Sequence, residues 1–238
     1  MTKFSQDKTI KHLLAVALLT FLSACNHDDD DRMDSMATFE IKVVNATSGQ
    51  PLTPVAVVAH SSGYQPWQLG GSSSAGLEML AEGGDVTQFI ADADADANVE
   101  ATVSSANGPF GPGATETVTI QVKPDNNLQI SVAAMLANTN DAFTGLANIS
   151  VGDLMMGDSI SKMARVYDAG TENNSETAAT MPGPAAGGEG FNAVRDDTDF
   201  VSIHAGVVSA DDGLSTSALN EAHRWLGSAA KITITRTQ

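Results

Sequence analysis

From Thr38 onward the apolar residues of this chain recur at every second position, and that period constrains the fold more than any other feature. Phe39, Ile41 and Val43 alternate with Glu40 and Lys42, and Val99, Ala101 and Val103 alternate with Glu100 and Thr102. Val118, Ile120 and Val122 are interleaved with Thr117, Thr119 and Gln121, and Ile232 and Ile234 lie between Lys231, Thr233 and Thr235. Side chains of a strand point alternately to its two faces, so this spacing describes strands with one dry and one wet face. Antiparallel sheets are the usual home of such strands, and two of them packed face to face are the expected architecture. The fold class is therefore all-β, an antiparallel β-sandwich with short helices in the connections, with a closed barrel as the second choice. The turn Lys123-Pro124-Asp125-Asn126-Asn127, followed by Leu128, Ile130 and Val132, reads as the bend of a hairpin.

Helix is predicted only in short pieces. Leu77, Leu80 and Ala81 share one face of a helix from Ala75 to Glu82. A second helix is expected after Asp85, which has capping-box spacing to Gln88 ahead of Phe89 and Ile90. The segment from Thr171 to Gly190, with Pro182, Pro184 and several glycines, must be ordered by something other than apolar burial, or not ordered at all. No internal repeat is visible.

The first residues have a different character. Lys3, Lys8 and Lys11 precede an apolar run from Leu13 to Leu22, too short for a bilayer span of about twenty residues. Leu22-Ser23-Ala24-Cys25 follows, and resembles the bacterial lipobox. Residues 1–24 are read as a signal peptide, with Cys25 lipidated as the new N-terminus. Cys25 is the single cysteine, which fits a thiol consumed by acylation. Residues 25–37, with Asp28, Asp29, Asp30 and Asp31, are read as an acidic tether, and 38–238 as one domain. The expected location is the bacterial cell envelope, as an outer-membrane lipoprotein whose partner is the membrane through Cys25.

The formal net charge of −17 becomes −19 once the first 24 residues, at +2, are removed. A surface of that sign repels nucleic acid and draws divalent cations. Asp92, Asp94 and Asp96 imitate the start of a helix-loop-helix calcium loop. That loop needs a glycine and a glutamate where this chain has Ala97 and Val103, so they are read as solvated. No Gly-x-Ser-x-Gly elbow, His-Glu-x-x-His helix or phosphate-binding glycine loop is present, and His60, His204 and His223 are scattered. The chain is therefore not expected to be an enzyme; a secreted hydrolase and a purely structural envelope lipoprotein are the alternatives to a binding or adhesion module.

Two segments place carboxylates where a strand gives way to a loop. Asn138-Thr139-Asn140-Asp141-Ala142-Phe143-Thr144-Gly145-Leu146 is one, and Tyr167-Asp168-Ala169-Gly170-Thr171-Glu172 is the other. Gly170 permits a sharp bend, which allows Asp168 and Glu172 to turn toward Asp141 as a hard, all-oxygen site. These segments, with Thr47-Ser48-Gly49-Gln50-Pro51, Gly76-Leu77-Glu78-Met79-Leu80-Ala81-Glu82-Gly83-Gly84 and Pro182-Gly183-Pro184, together resemble the spondin domain over about Phe39 to Arg236. The resemblance implies an antiparallel β-sandwich similar to calcium-dependent lipid-binding domains. It also implies a calcium ion at one end, with Asp141, Asp168 and Glu172 as ligands, the last standing where the family has aspartate. In animals the domain belongs to adhesive extracellular-matrix proteins, and the thrombospondin-type repeats found there are not part of this sequence. An envelope glycan or an extracellular protein is the class of ligand expected.

Overall fold

The computed structural model describes residues 36–238. The expected signal peptide, Cys25 and the acidic run at 28–31 lie outside the described residues. The strands are β1 (Ala37–Asn45), β2 (Ala56–His60), β3 (Val99–Ser104), β4 (Thr115–Val122), β5 (Gln129–Met135), β6 (Ala142–Ser150), β7 (Ser159–Asp168), the two-residue β8 (Ser202–Ile203) and β9 (Ser228–Arg236). Two helices, α1 (Ala75–Gly83) and α2 (Thr87–Asp94), fall between β2 and β3.

All pairings are antiparallel, in the order β3-β2-β5-β6-β7-β9-β1-β4, with β8 beside β7. The two layers of the expected sandwich are thus halves of one continuous sheet. It curls until its edge strands β3 and β4 adjoin, which makes it a nearly closed barrel. Phe39, Ile41, Val118, Ile120, Ile130, Ile232 and Ile234 fill the space between the layers. β4 alternates exposed and buried without a break, with Thr119 out and Ile120 in, as its sequence requires.

β2 is buried at all five positions. Its run Ala56-Val57-Val58-Ala59 is apolar on both faces because α1 and α2 cover the outside of the layer. Leu77, Leu80, Ala81 and Phe89 from the helices pack there with Ala56, Val58 and Trp67, and Trp67 meets Phe143 edge-on at 5.2 Å between ring centres. Ser74 caps α1 by accepting from the Leu77 backbone N–H, and Gly84 ends it in the left-handed conformation.

Two local expectations need correction. The turn at Lys123–Asn127 forms, with Asp125 Oδ1 accepting from the Asn127 N–H, but β4 and β5 are not partners. The chain crosses there from one layer to the other, because alternation fixes which face of a strand is dry and not which strand lies beside it. The capping box at Asp85 and Gln88 is not made either. Asp85 caps the Thr87 N–H, α2 has Val86 at its N-cap, and the Gln88 amide donates instead to Asp92.

Antiparallel pairing gives the domain two distinct ends. One gathers the start of β1, the ends of β4, β6 and β9, and the start of β7. The other gathers the end of β1, the start of β6 and the end of β7, about 30 Å away along a strand of this length.

Candidate cation site at the far end of the barrel

Asp141 immediately precedes β6 and Asp168 ends β7, and pairing of Ala142 with Asp168 sets the two acids side by side at the far end. The chain then bends at Gly170, whose φ of 72° lies in the region that favours glycine. A Cβ there would come within 2.3 Å of the Phe200 carbonyl oxygen. The bend turns Thr171 and Glu172 back over Asp141. Asp141 Oδ2 accepts from the Thr171 N–H at 2.8 Å, the Glu172 N–H at 3.2 Å and the Thr171 hydroxyl at 3.3 Å. All three predicted acids are buried, Asp141 completely.

The structure adds a carboxylate that the sequence reading gave no part in the site. Glu82, in the last turn of α1, is fully buried. One of its oxygens accepts from the Asn192 N–H at 2.8 Å, and its charge acts on Glu172. A carboxylate at a helix C-terminus works against the helix dipole, and α1 has no basic residue in that turn, an anomaly that was visible in the sequence. Asn140 is buried as well and lines, with Glu172 and Asn192, a cleft of about 100 Å³.

Four buried side-chain oxygens in this group have no hydrogen-bond partner: Glu82 Oε1, Asn140 Oδ1, Asp141 Oδ1 and Glu172 Oε2. An unpaired buried oxygen costs about 1–3 kcal/mol, more if charged, so a cluster of them calls for a proton or a cation. Burial, and after it the charge of Asp168, pushes Asp141 up to about 7 against the pull of the Thr171 and Glu172 N–H groups. Burial, then Glu82, then Asp141 push Glu172 up to about 8. Glu82 is raised too, chiefly by burial.

Asp168 differs from its neighbours in being satisfied. Its Oδ1 accepts from the Gly170 N–H and its Oδ2 from the Asn174 amide at 2.6 Å. Asn174 in turn accepts at 3.0 Å from His204, whose other ring nitrogen takes the Gly206 N–H. As they stand, no three His, Cys, Asp or Glu side chains among the described residues are grouped closely enough to hold a metal ion. Amide oxygens such as that of Asn140 therefore belong in any donor set drawn from this cluster.

The loop over the site is ordered without regular secondary structure. The hydroxyls of Ser175, Thr177 and Thr180 bond to one another, and Met181 is buried with Val207 and Leu219. Arg195 fastens the following segment to α1 through Glu78 at 2.6 Å and the Ser73 carbonyl at 2.9 Å, and also pairs with Asp199. The run at Asp92, Asp94 and Asp96 is spent on local bonds to Gly76, Thr102 and Asn98. His60 is buried against Ser131, and His223 accepts the Asn220 N–H, so neither faces the cluster through these bonds.

The segments that meet at this end are those whose order gave the chain its family resemblance, and comparison with known families decides the matter. The sequence profile described as Spondin_N matches residues 46–186, more than half of the chain. The chain belongs to the spondin N-terminal domain family. The match takes in Glu82, Asn140, Asp141, Asp168 and Glu172 together with α1, α2 and the core strands β2 to β7. Membership points to an extracellular, adhesion-type module. A search of curated proteins found no match. Among the described residues no helix is long and apolar enough to cross a membrane.

Proposed function

We propose that this spondin domain is a calcium-stabilised binding module, not an enzyme, held on a bacterial outer membrane by lipid at Cys25 and presenting its far end to an envelope glycan or an extracellular protein. The observation that carries the reading is the set of buried, unpartnered oxygens on Glu82, Asn140, Asp141 and Glu172 at the end opposite the start of β1. Hard oxygen donors of mixed carboxylate and amide type are what calcium takes, six to eight at a time. Asp141, Glu172 and Glu82, which are not close enough as they stand, would draw in around the ion with the Asn140 oxygen and water. Asp168, whose two oxygens each already accept one bond, would contribute through its remaining lone pairs. A bound cation supplies the positive charge that lets these acids ionise together and fixes the 171–199 loops beneath whatever the end contacts.

Calorimetry on the full chain tests this with calcium ion alone. Saturable binding is expected, with a melting temperature that rises with calcium and falls with chelator. An ion at a hundredfold excess over its Kd stabilises by about 2.7 kcal/mol. Asp141→Asn and Glu82→Gln should weaken binding at least tenfold, whereas Asp94→Asn should not change it. Magnesium should substitute poorly because it holds its water and a tight octahedron. Absence of saturable binding at millimolar calcium, or an Asp141→Asn protein that binds like the parent, would end the claim.

A further inference from the structure

The loop between β6 and β7 lies at the near end of the barrel, where β1 starts, and its tip carries two adjacent methionines, Met155 and Met156, 71% and 74% exposed. The loop is firmly held. The Met155 N–H donates to Asp158 Oδ2 at 3.0 Å, and the Asp158 N–H returns to the Met155 carbonyl at 2.9 Å. The Gly157 N–H donates to the Arg236 carbonyl, and the Arg236 guanidinium donates to the Leu154 carbonyl at 2.7 Å. Two apolar side chains are thus fixed in water by a turn stapled to the end of β9, at a position where the core does not use them.

Their place in the sheet sets them beside the start of β1. Arg236 pairs with Phe39, so the tip lies across β9 from the beginning of β1, two strand spacings or about 10 Å away. Met36, directly before β1, is also exposed. The chain between Cys25 and β1 is the eleven residues Asn26–Met36, which span at most about 40 Å when fully extended. An acyl group on Cys25 therefore brings the near end, where the tether joins the domain, to the bilayer at a higher effective concentration than the far end. Methionine is unbranched and polarisable and adapts to an irregular apolar boundary. Exposed Asp153 and Asp158 flank the pair and the chain is strongly acidic, which favours zwitterionic over anionic lipid. Leu226, fully exposed, belongs to the opposite end, just before β9 begins.

We propose that Met155 and Met156 seat in the headgroup boundary of the bilayer that holds the lipid anchor. The contact stands the domain upright with Glu82, Asp141 and Glu172 facing away from the membrane. It rests on acylation of Cys25, and the experiment separates the two. The full lipidated chain, whose Cys25 thiol is consumed as a thioether, is prepared as Met155→Cys or Leu226→Cys. Each is labelled with an environment-sensitive dye and reconstituted on phosphatidylcholine vesicles. The Met155→Cys label should brighten several-fold and be quenched by nitroxide on the acyl chains, while the Leu226→Cys label should keep its emission in water. A Met155→Cys label that stays water-like on protein that floats with the vesicles would overturn the contact while leaving the anchor intact. Equal quenching at both ends would mean that the domain lies on its side, and overturns it too. Protein that fails to float removes the anchor, and the proposal falls with it.

Discussion

A buried acid can be relieved by a proton or by a cation, and Asp141 and Glu172 should respond to both. Their folded-state values, about 7 and about 8, lie well above those of unfolded carboxylates, about 4. Near neutral pH the folded chain therefore holds protons that the unfolded chain has released, and stability falls as pH rises. The contribution is complete below the unfolded value and gone once pH passes the folded one. Glu176, raised to about 7 by its own burial, acts in the same direction. His60 and His204, lowered by burial, act in the opposite sense, since their neutral form is favoured on folding. Their effect is spent above about pH 6.5, where unfolded histidine is also neutral. From pH 7 to 8.5, in chelator, the melting temperature should fall, and Glu172→Gln should flatten the slope. Saturating calcium should abolish it; a melting temperature that climbs over that interval in chelator would refute the assignment. Asp141 and Glu172 were legible as residues because each lies in a loop beside the end of a strand. Glu82 was not, because helical periodicity places it on a polar face, and only the adverse helix dipole marks it as a charge with another purpose.

At the level of elements, alternation was read correctly and partnership was not. β1, β4 and β9 have one wet face, so their sequences declare which residues are inside, whereas β2 is apolar on both sides and reveals nothing until the helices that cover it are known. The β4–β5 turn looked like a hairpin because hairpins and layer crossings use the same turn chemistry, and only long-range pairing separates them. The register of β4 gives a clean test. Ile120 is 3% exposed and packs between the layers, while Thr119 faces water. Ile120→Ala should cost about 2–5 kcal/mol in urea unfolding, and Thr119→Ala less than about 0.5 kcal/mol, without a change in the denaturant slope. Equal small losses would mean that the strand is not seated as described. The 171–190 loop was legible only as a problem, a segment too polar for apolar burial to order. Its solution, hydroxyls bonded to one another over one buried methionine, has no periodic signature.

For the whole molecule the governing fact is polarity along the strands. The nearly closed sheet hides most of its own edges, and its two ends differ in chemistry. Acids and amides gather where β6 begins, and the exposed methionines sit where β6 gives way to β7. A single attachment point near the start of β1 would turn this asymmetry into an orientation, which is why the fate of Cys25 matters to the acidic end about 30 Å away. Serine in that position has a hydroxyl far less nucleophilic than a thiolate and cannot accept the lipid. Cys25→Ser protein should therefore move from the detergent-rich to the aqueous phase on phase separation, with the melting temperature of the domain unchanged, because β1 begins well after that residue. The parent chain should be recovered with outer-membrane fractions, Asn26 standing where aspartate would resemble the inner-membrane retention signal. A Cys25→Ser protein that partitions into detergent like the parent would show that something other than lipid holds the chain to the envelope, and the orientation argued from the length of the tether would lose its basis.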